Sequence, residues 1–246
     1  MNISFFNKIK IIVLDTLFPV HCISCSKYGE WICNDCLEKI SINIDQTCPL
    51  CNQSVTPDGK TCFDCKKKYS IDGILIASSY RLDKKKTFVA KLVHYYKYRF
   101  ISDLSIPLGK ILKKALLRSD LSLPDIIIPV PLHPRRMRWR GFNQAELISD
   151  FLGENLTLGL NIDVMKDALL RKKYTIPQME IKNYHQRKHN IKGSFSLNKE
   201  YSEKIKDKNI LLVDDIATTG STLFECAKVL KQKNANKVYG IVLARQ

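Results

Sequence analysis

From residue 70 onwards, short apolar runs alternate with stretches whose apolar positions recur at helical spacing. Gly73 to Tyr80 reads as a strand, and Lys91 to Tyr98 and Pro107 to Arg118 read as helices. Ile126, Ile127, Ile128, Pro129 and Val130 form an unbroken apolar run, the mark of a buried strand, ending in a proline-rich turn. Asn143 is placed to cap the next helix, with Glu146 three residues later and a stripe of Leu147, Ile148, Phe151 and Leu152. Ile210 to Val213 is a second buried strand, followed by a loop and a helix striped by Leu223, Cys226, Ala227 and Leu230; Val238 to Ala244 closes the set. Strands alternating with helices predict an α/β fold with a parallel sheet flanked by helices. Between Asp163 and Tyr201 periodicity fades and charge rises, so a mobile or projecting segment is expected there.

The N-terminal stretch differs. Met1 to Val20 is apolar at Phe5, Phe6, Ile9, Ile12, Val13 and Leu17 but carries Lys8, Lys10 and Asp15. That spacing predicts an amphipathic helix over residues 1–19, too short and too charged for a transmembrane segment. It is expected to pack on the protein body, with peripheral membrane contact as the alternative.

Eight of the nine cysteines follow as four CxxC pairs: Cys22/Cys25, Cys33/Cys36, Cys48/Cys51 and Cys62/Cys65. Two thiolates two residues apart reach one tetrahedral ion from a tight turn, and a second pair closes the site. Four pairs make two sites. Separations of seven residues between the first two pairs and ten between the last two favour sequential pairing, with an interleaved cross-brace as the alternative. Two structural zinc ions are expected, redox dithiols or an iron–sulfur cluster being the competing readings. A small segment of residues 20–68 would depend on such ions for its fold. His21 reads as a bystander and Cys226 as a small core residue. With no cleavable leader and paired thiols that must stay reduced, a cytoplasmic location is expected.

Length and composition then bound the whole. At roughly 150 residues per domain, 246 residues hold one full domain, expected over 70–246, plus smaller parts. A composition 45% hydrophobic and 26% charged excludes collagen-like, mucin-like and disordered classes. Forty Lys and Arg against 24 Asp and Glu leave 40 − 24 = +16, a field that favours polyanions. Arg135, Arg136, Arg138 and Arg140 flank Trp139, and Lys91, Lys97 and Arg99 interleave with Tyr95, Tyr96 and Tyr98. Cations that track phosphates beside aromatic faces that stack on bases suit single-stranded DNA; a solvated lysine face and core tyrosines are the plainer reading.

The most specific chemistry lies in ILLVDDIATTGST, Ile210 to Thr222. Asp214 and Asp215 place two carboxylates at a strand end, suited to a pair of ribose hydroxyls. Ala217, Thr218, Thr219, Gly220, Ser221 and Thr222 bring hydroxyls and open backbone amides to a helix start, an anion cradle sized for a monophosphate. Together they describe a ribose 5-phosphate. A plain capping box, Thr222 with Glu225, is the alternative. No GxxxxGK[ST] or GxGxxG occurs, which removes the main support for nucleotide-hydrolase and dinucleotide readings.

The thirteen residues resemble, without departure, the phosphoribosyl pyrophosphate (PRPP) signature of type I phosphoribosyltransferases. With IIIPVPLHPRRMRWRGFNQAE (Ile126 to Glu146), Pro177, Gln178, Arg187, Asn190, Gly193, Phe195 and the eight cysteines, the chain resembles the ComF family over roughly residues 17–245. Departures lie mostly between Met179 and Gln186, where Glu180, Ile181 and Lys182 replace the usual residues. The resemblance implies a double zinc ribbon joined to a type I phosphoribosyltransferase-like domain that binds PRPP with magnesium. It also implies a part in bacterial DNA uptake through handling of single-stranded DNA, and contact with proteins of the uptake machinery. Asp214 and Asp215 would orient the sugar, and the four arginines would hold pyrophosphate or nucleic acid. Turnover would displace pyrophosphate from C1 by a free base or nucleotide; no residue stands out as a general base, so a PRPP-sensing regulator is the third reading.

Overall fold

The computed structural model describes residues 19–82, 85–173 and 191–246. The helix expected over 1–19 lies outside the described residues except for Pro19, and the family positions Pro177, Gln178, Arg187 and Asn190 lie outside them, as do the departures at Met179 to Gln186. Contacts divide the chain into two units, Met1–Ile40 and Ser41–Gln246.

In the first unit, Cys22 to Cys36 forms one cysteine cluster and the short helix α1 (Asn34–Glu38). The amides of Cys22, Ile23 and Gly29 donate to the carbonyls of Lys27, Trp31 and Val20, so two short segments fold back on each other around the thiols.

The second unit holds α2 (Phe63–Lys66) within the second cysteine cluster, followed by strands β1 (Gly73–Ser79), β2 (Arg81–Leu82) and β3 (Lys85–Lys86). Helices α3 (Phe88–Tyr98) and α4 (Ser105–Leu117) come next, then β4 (Ile126–Pro129), α5 (Pro134–Arg140) and α6 (Gln144–Asn155). The chain continues through β5 (Asp163–Val164), β6 (Leu169–Arg171), β7 (Phe195–Leu197), β8 (Ile210–Val213), β9 (Ile216–Ala217), α7 (Ser221–Lys231) and β10 (Val238–Arg245). The main sheet runs β1-β10-β8-β4-β5, every pair parallel, and β9 extends along the end of β10.

Strands β4 and β8 are buried at every position, as a parallel strand covered on both faces must be. Alternation sorts their side chains. Ile126, Ile128, Ile210, Leu212, Val238 and Val242 pack with Leu223, Cys226, Ala227 and Leu230 of α7 in one core. Ile127, Leu211, Val213 and Ile241, also fully buried, project from the opposite face, which α4 and α6 cover. Cys226 is the small core residue its stripe predicts.

Strand β1 would expose a free sheet edge, a hazard for pairing with other chains. The segment around the second cysteine cluster covers it. The Gln46 side-chain amide donates to the Ile76 carbonyl at 2.9 Å and accepts from the Ile76 amide at 3.2 Å, while Lys60 bridges Gly73. Contact there is so close that a Cβ on Gly59, itself at φ +65°, would lie 2.1 Å from the Ile74 carbonyl oxygen.

Of the stretch from Asp163 to Tyr201, where a mobile or projecting segment is expected, residues 174–190 lie outside the described residues. Rather than projecting, its described parts are built in: β5 pairs with β4, β6 and β7 form an antiparallel pair, and Met165, Ala168, Leu169, Ile191 and Phe195 join the core. Two- and three-residue strands are too short to show periodicity, so the surrounding charge masked them.

Candidate functional site

Strands β4 and β8 end side by side at the carboxyl edge of the sheet, where open α/β folds gather ligands. Asp214 and Asp215 follow β8 directly. Asp215 is buried, and its Oδ1 accepts from Lys97 Nζ at 2.7 Å and from the Ile216 amide at 2.6 Å. Asp214 Oδ1 accepts from the Asp215 amide at 2.8 Å. Desolvation, and next the charge of Asp215, push the Asp214 carboxyl from 3.8 up to about 7 against the pull of the Lys97 ammonium.

Beyond β9 the chain turns into α7 through Gly220, whose φ is 76° and over which the Phe224 ring closes. Ala217 and Thr219 are buried. The Thr219 and Ser221 hydroxyls lie 2.7 Å apart, with the Ser221 amide donating to Thr219 Oγ1 at 3.3 Å. The N-cap residue of α7, Gly220, has no side chain to cap it. The alternative of a Thr222–Glu225 capping box does not form, because Glu225 reaches away to accept from the Gly193 amide at 2.7 Å.

These elements wall a cavity of about 580 Å³. Thr218 and Thr222 of the α7 turn line it together with Asp214 and Asp215. The four arginines that follow the proline-rich turn after β4 lie on α5. Pro134 opens it, His133 caps it by accepting from the Arg135 amide at 3.2 Å, and Gly141 closes it in the left-handed region. A proline at the first position and a glycine just past the last are helix punctuation, effective even over seven residues. Helical spacing brings Arg136 and Arg140 to the cavity with Arg135, and leaves exposed Arg138 outside its lining. Burial, then the guanidinium groups of Arg171, Arg135, Arg136 and Arg138, hold His133 below its ordinary pKa.

Two cations of this site escaped the sequence reading. Lys97, read there as a nucleic-acid contact or part of a solvated face, is mostly buried against Asp215. Its signal was present: Val89, Val93 and Lys97 share one face of α3, so a lysine sits where the apolar stripe should continue. Arg171, at the end of β6, lines the cavity with its guanidinium 5.4 Å from the Phe195 ring, and burial lowers its pKa. It lies in a basic run, and nothing in the local pattern distinguishes it. Of the three tyrosines, Tyr96 is core and donates to the Gln144 carbonyl at 3.0 Å. Tyr98 is half-exposed at the rim, where Trp139 lies 6.4 Å from Tyr98 and 5.2 Å from Phe100; Arg140 sits 5.8 Å from the Trp139 ring.

The thiols gather in sequence order, Cys22, Cys25, Cys33 and Cys36 in one cluster and Cys48, Cys51, Cys62 and Cys65 in the other, each with its sulfurs within 4.8 Å of one another. Tetrahedral Zn–S bonds of ~2.3 Å put sulfurs ~3.8 Å apart. The Cys25–Cys33 and Cys51–Cys62 separations of 3.5 and 4.0 Å bracket that value. The same turn recurs in both: the residue after the second cysteine, Ser26 or Asn52, has positive φ. The Cys33 and Cys62 amides point at Cys22 Sγ and Cys48 Sγ. Each is a closed four-thiolate site fitted to structural zinc.

Comparison with known proteins agrees. Residues 172–246 match the phosphoribosyl transferase domain, and residues 13–66 the double zinc ribbon domain. The chain is 30% identical over 224 residues to DNA utilization protein YhgH of Escherichia coli strain K12, covering 88% of this chain and 92% of that protein. The chain belongs to the ComF family. Within the family it is 29% identical over 235 residues to Competence protein F of Haemophilus influenzae, covering 93% of this chain and 98% of that protein. Against Competence protein ComFC of Bacillus subtilis the identity is 24% over 220 residues, 84% of this chain and 80% of that one. In ComF terms, the parallel sheet with its flanking helices is the phosphoribosyltransferase-like part and the cysteine clusters are the zinc ribbons. Among the described residues no helix is long and apolar enough to cross a membrane.

Proposed function

We propose that this ComF protein binds PRPP with magnesium in the cavity at the carboxyl edge of the sheet and handles single-stranded DNA during DNA uptake, on the cytoplasmic side. The observation that carries the reading is the convergence of two carboxylates with Thr218, Thr222 and the arginines on one cavity: acceptors for vicinal hydroxyls beside donors for two separate anionic groups. Asp214 and Asp215 would take the ribose hydroxyls, residues 217–222 the 5-phosphate, and Arg135, Arg136 and Arg140 the pyrophosphate. The hard carboxylate oxygens also suit magnesium, which when bound offsets the pyrophosphate charge. The names of the relatives, competence and DNA utilization, support the uptake role and contact with uptake proteins. The rim of Tyr98, Phe100 and Trp139 beside Arg140 supports base stacking.

Turnover on a free base or nucleotide is the second reading, favoured by the phosphoribosyl transferase domain match. The sensing role stands beside it as the third reading. Titration calorimetry with PRPP and magnesium tests the shared premise. Saturable binding is expected from the parent and none from the folded Asp214→Asn, Asp215→Asn double variant. A parent giving no heat overturns the reading, and undiminished binding by the double variant removes the acidic pair from the ribose.

A further inference from the structure

The second cysteine knuckle reaches the phosphate loop by two separate routes. Asn52, the residue after Cys51, is held at φ 56°, and its Oδ1 accepts from Arg245 Nη1 at 2.6 Å. The Nε of the same guanidinium donates to the Thr218 carbonyl at 3.3 Å. Arg245 is itself fixed, paired in β10 with Ala217. On the other route, the Tyr69 amide donates to the Cys65 carbonyl at 3.1 Å, and the Tyr69 ring packs 6.0 Å from that of Phe224. Phe224 in turn closes on Gly220, where an added Cβ would meet it at 2.7 Å. Cys48/Cys51 and Cys62/Cys65 thus each send one contact into residues 218–220.

The first route has a directional consequence. A trans peptide points its carbonyl and its N–H in opposite directions, so holding the Thr218 carbonyl toward Arg245 turns the Thr219 amide the other way. An anion cradle made of backbone amides depends on such orientations. We propose that the second zinc knuckle is a positioning element of the phosphate loop, acting through Asn52 and Arg245, so that an intact knuckle raises the affinity for a phosphorylated sugar. The role assigned to the loop rests on the PRPP reading; the mechanical link does not.

Asn52→Gly keeps the left-handed turn and removes the acceptor, and Arg245→Met keeps the aliphatic stem and removes the donors. In the full chain each variant is expected to retain two zinc per chain and the parent's thermal midpoint. Each should bind PRPP with magnesium about fivefold or more weakly. The double variant should be no weaker than Arg245→Met alone, since that change already removes both links of the chain of contacts. Amide hydrogen exchange at residues 218–224 should quicken in both without any ligand present. Parent-like affinity and parent-like exchange in both variants overturn the proposal. A parent that fails to bind PRPP, with variants that still loosen the loop, overturns the proposed function and upholds the link.

Discussion

Asp214 and Asp215 are adjacent, yet their surroundings differ. Asp215 meets an ammonium, while Asp214 meets desolvation and its neighbour's charge, which together carry its carboxyl up to about 7. The folded value lies above the ordinary 3.8, so between about pH 4 and 7 the folded state holds a proton that the unfolded chain has released. Fewer protons bound in the unfolded state mean that stability falls as pH rises through that window and levels off above it, with a slope of at most ~1.4 kcal/mol per pH unit for one proton. Asp214→Asn removes this dependence. Denaturant unfolding of parent and variant should show the variant gaining on the parent between about pH 4 and 7; a difference that does not change with pH would contradict the assignment.

At the scale of elements, the start of α7 is the most constrained junction. Gly220 sits at φ 76° under the Phe224 ring, so Gly220→Ala meets both a backbone penalty of ~1–2 kcal/mol and a side-chain clash. Denaturant midpoints should fall accordingly, and the variant should lose PRPP binding beyond what its stability explains, because the same turn aims the loop amides. This junction was legible in the sequence: Ile210 to Val213 is a strand with the bounds its apolar run indicates, and Thr-Thr-Gly marks the turn. The helix cap at Asn143 was legible too, its Oδ1 accepting from the Ala145 amide at 3.2 Å while its Nδ2 ties the helix to the Val130 carbonyl. Helix α5 was not, since six of its seven residues are Arg, Met or Trp with no apolar stripe to read. Arg171 reaches the cavity only because β6 and β7 pair, a contact between residues 24 apart or more that local pattern does not encode. Lys97 lay between the two cases, visible as a break in a stripe but read as a nucleic-acid contact or a solvated cation, because only the tertiary fold brings Asp215 beside it.

At the scale of the whole molecule, a net charge of +16 is too large to be taken up by one bound metabolite, and its arrangement around the cavity separates two ways of binding single strands. Cations contribute through counterion release, at about −0.7 in log–log salt slope per phosphate contacted, whereas aromatic stacking gives ~1–3 kcal/mol per base with little salt dependence. Arg138 is exposed outside the cavity lining, and Trp139, 59% exposed, stands at the rim. Titrating an oligonucleotide at several salt concentrations should therefore show Trp139→Ala weakening affinity with the slope preserved, and Arg138→Gln shortening the slope by about 0.7 with PRPP binding unchanged. Arg135, Arg136 and Arg140 face the cavity, so saturating PRPP should shorten the parent's slope as well, by taking up cations that the strand would otherwise use. A slope indifferent to PRPP would mean that strand and metabolite occupy separate surfaces, and a flat salt response would remove the phosphate backbone from the interaction altogether.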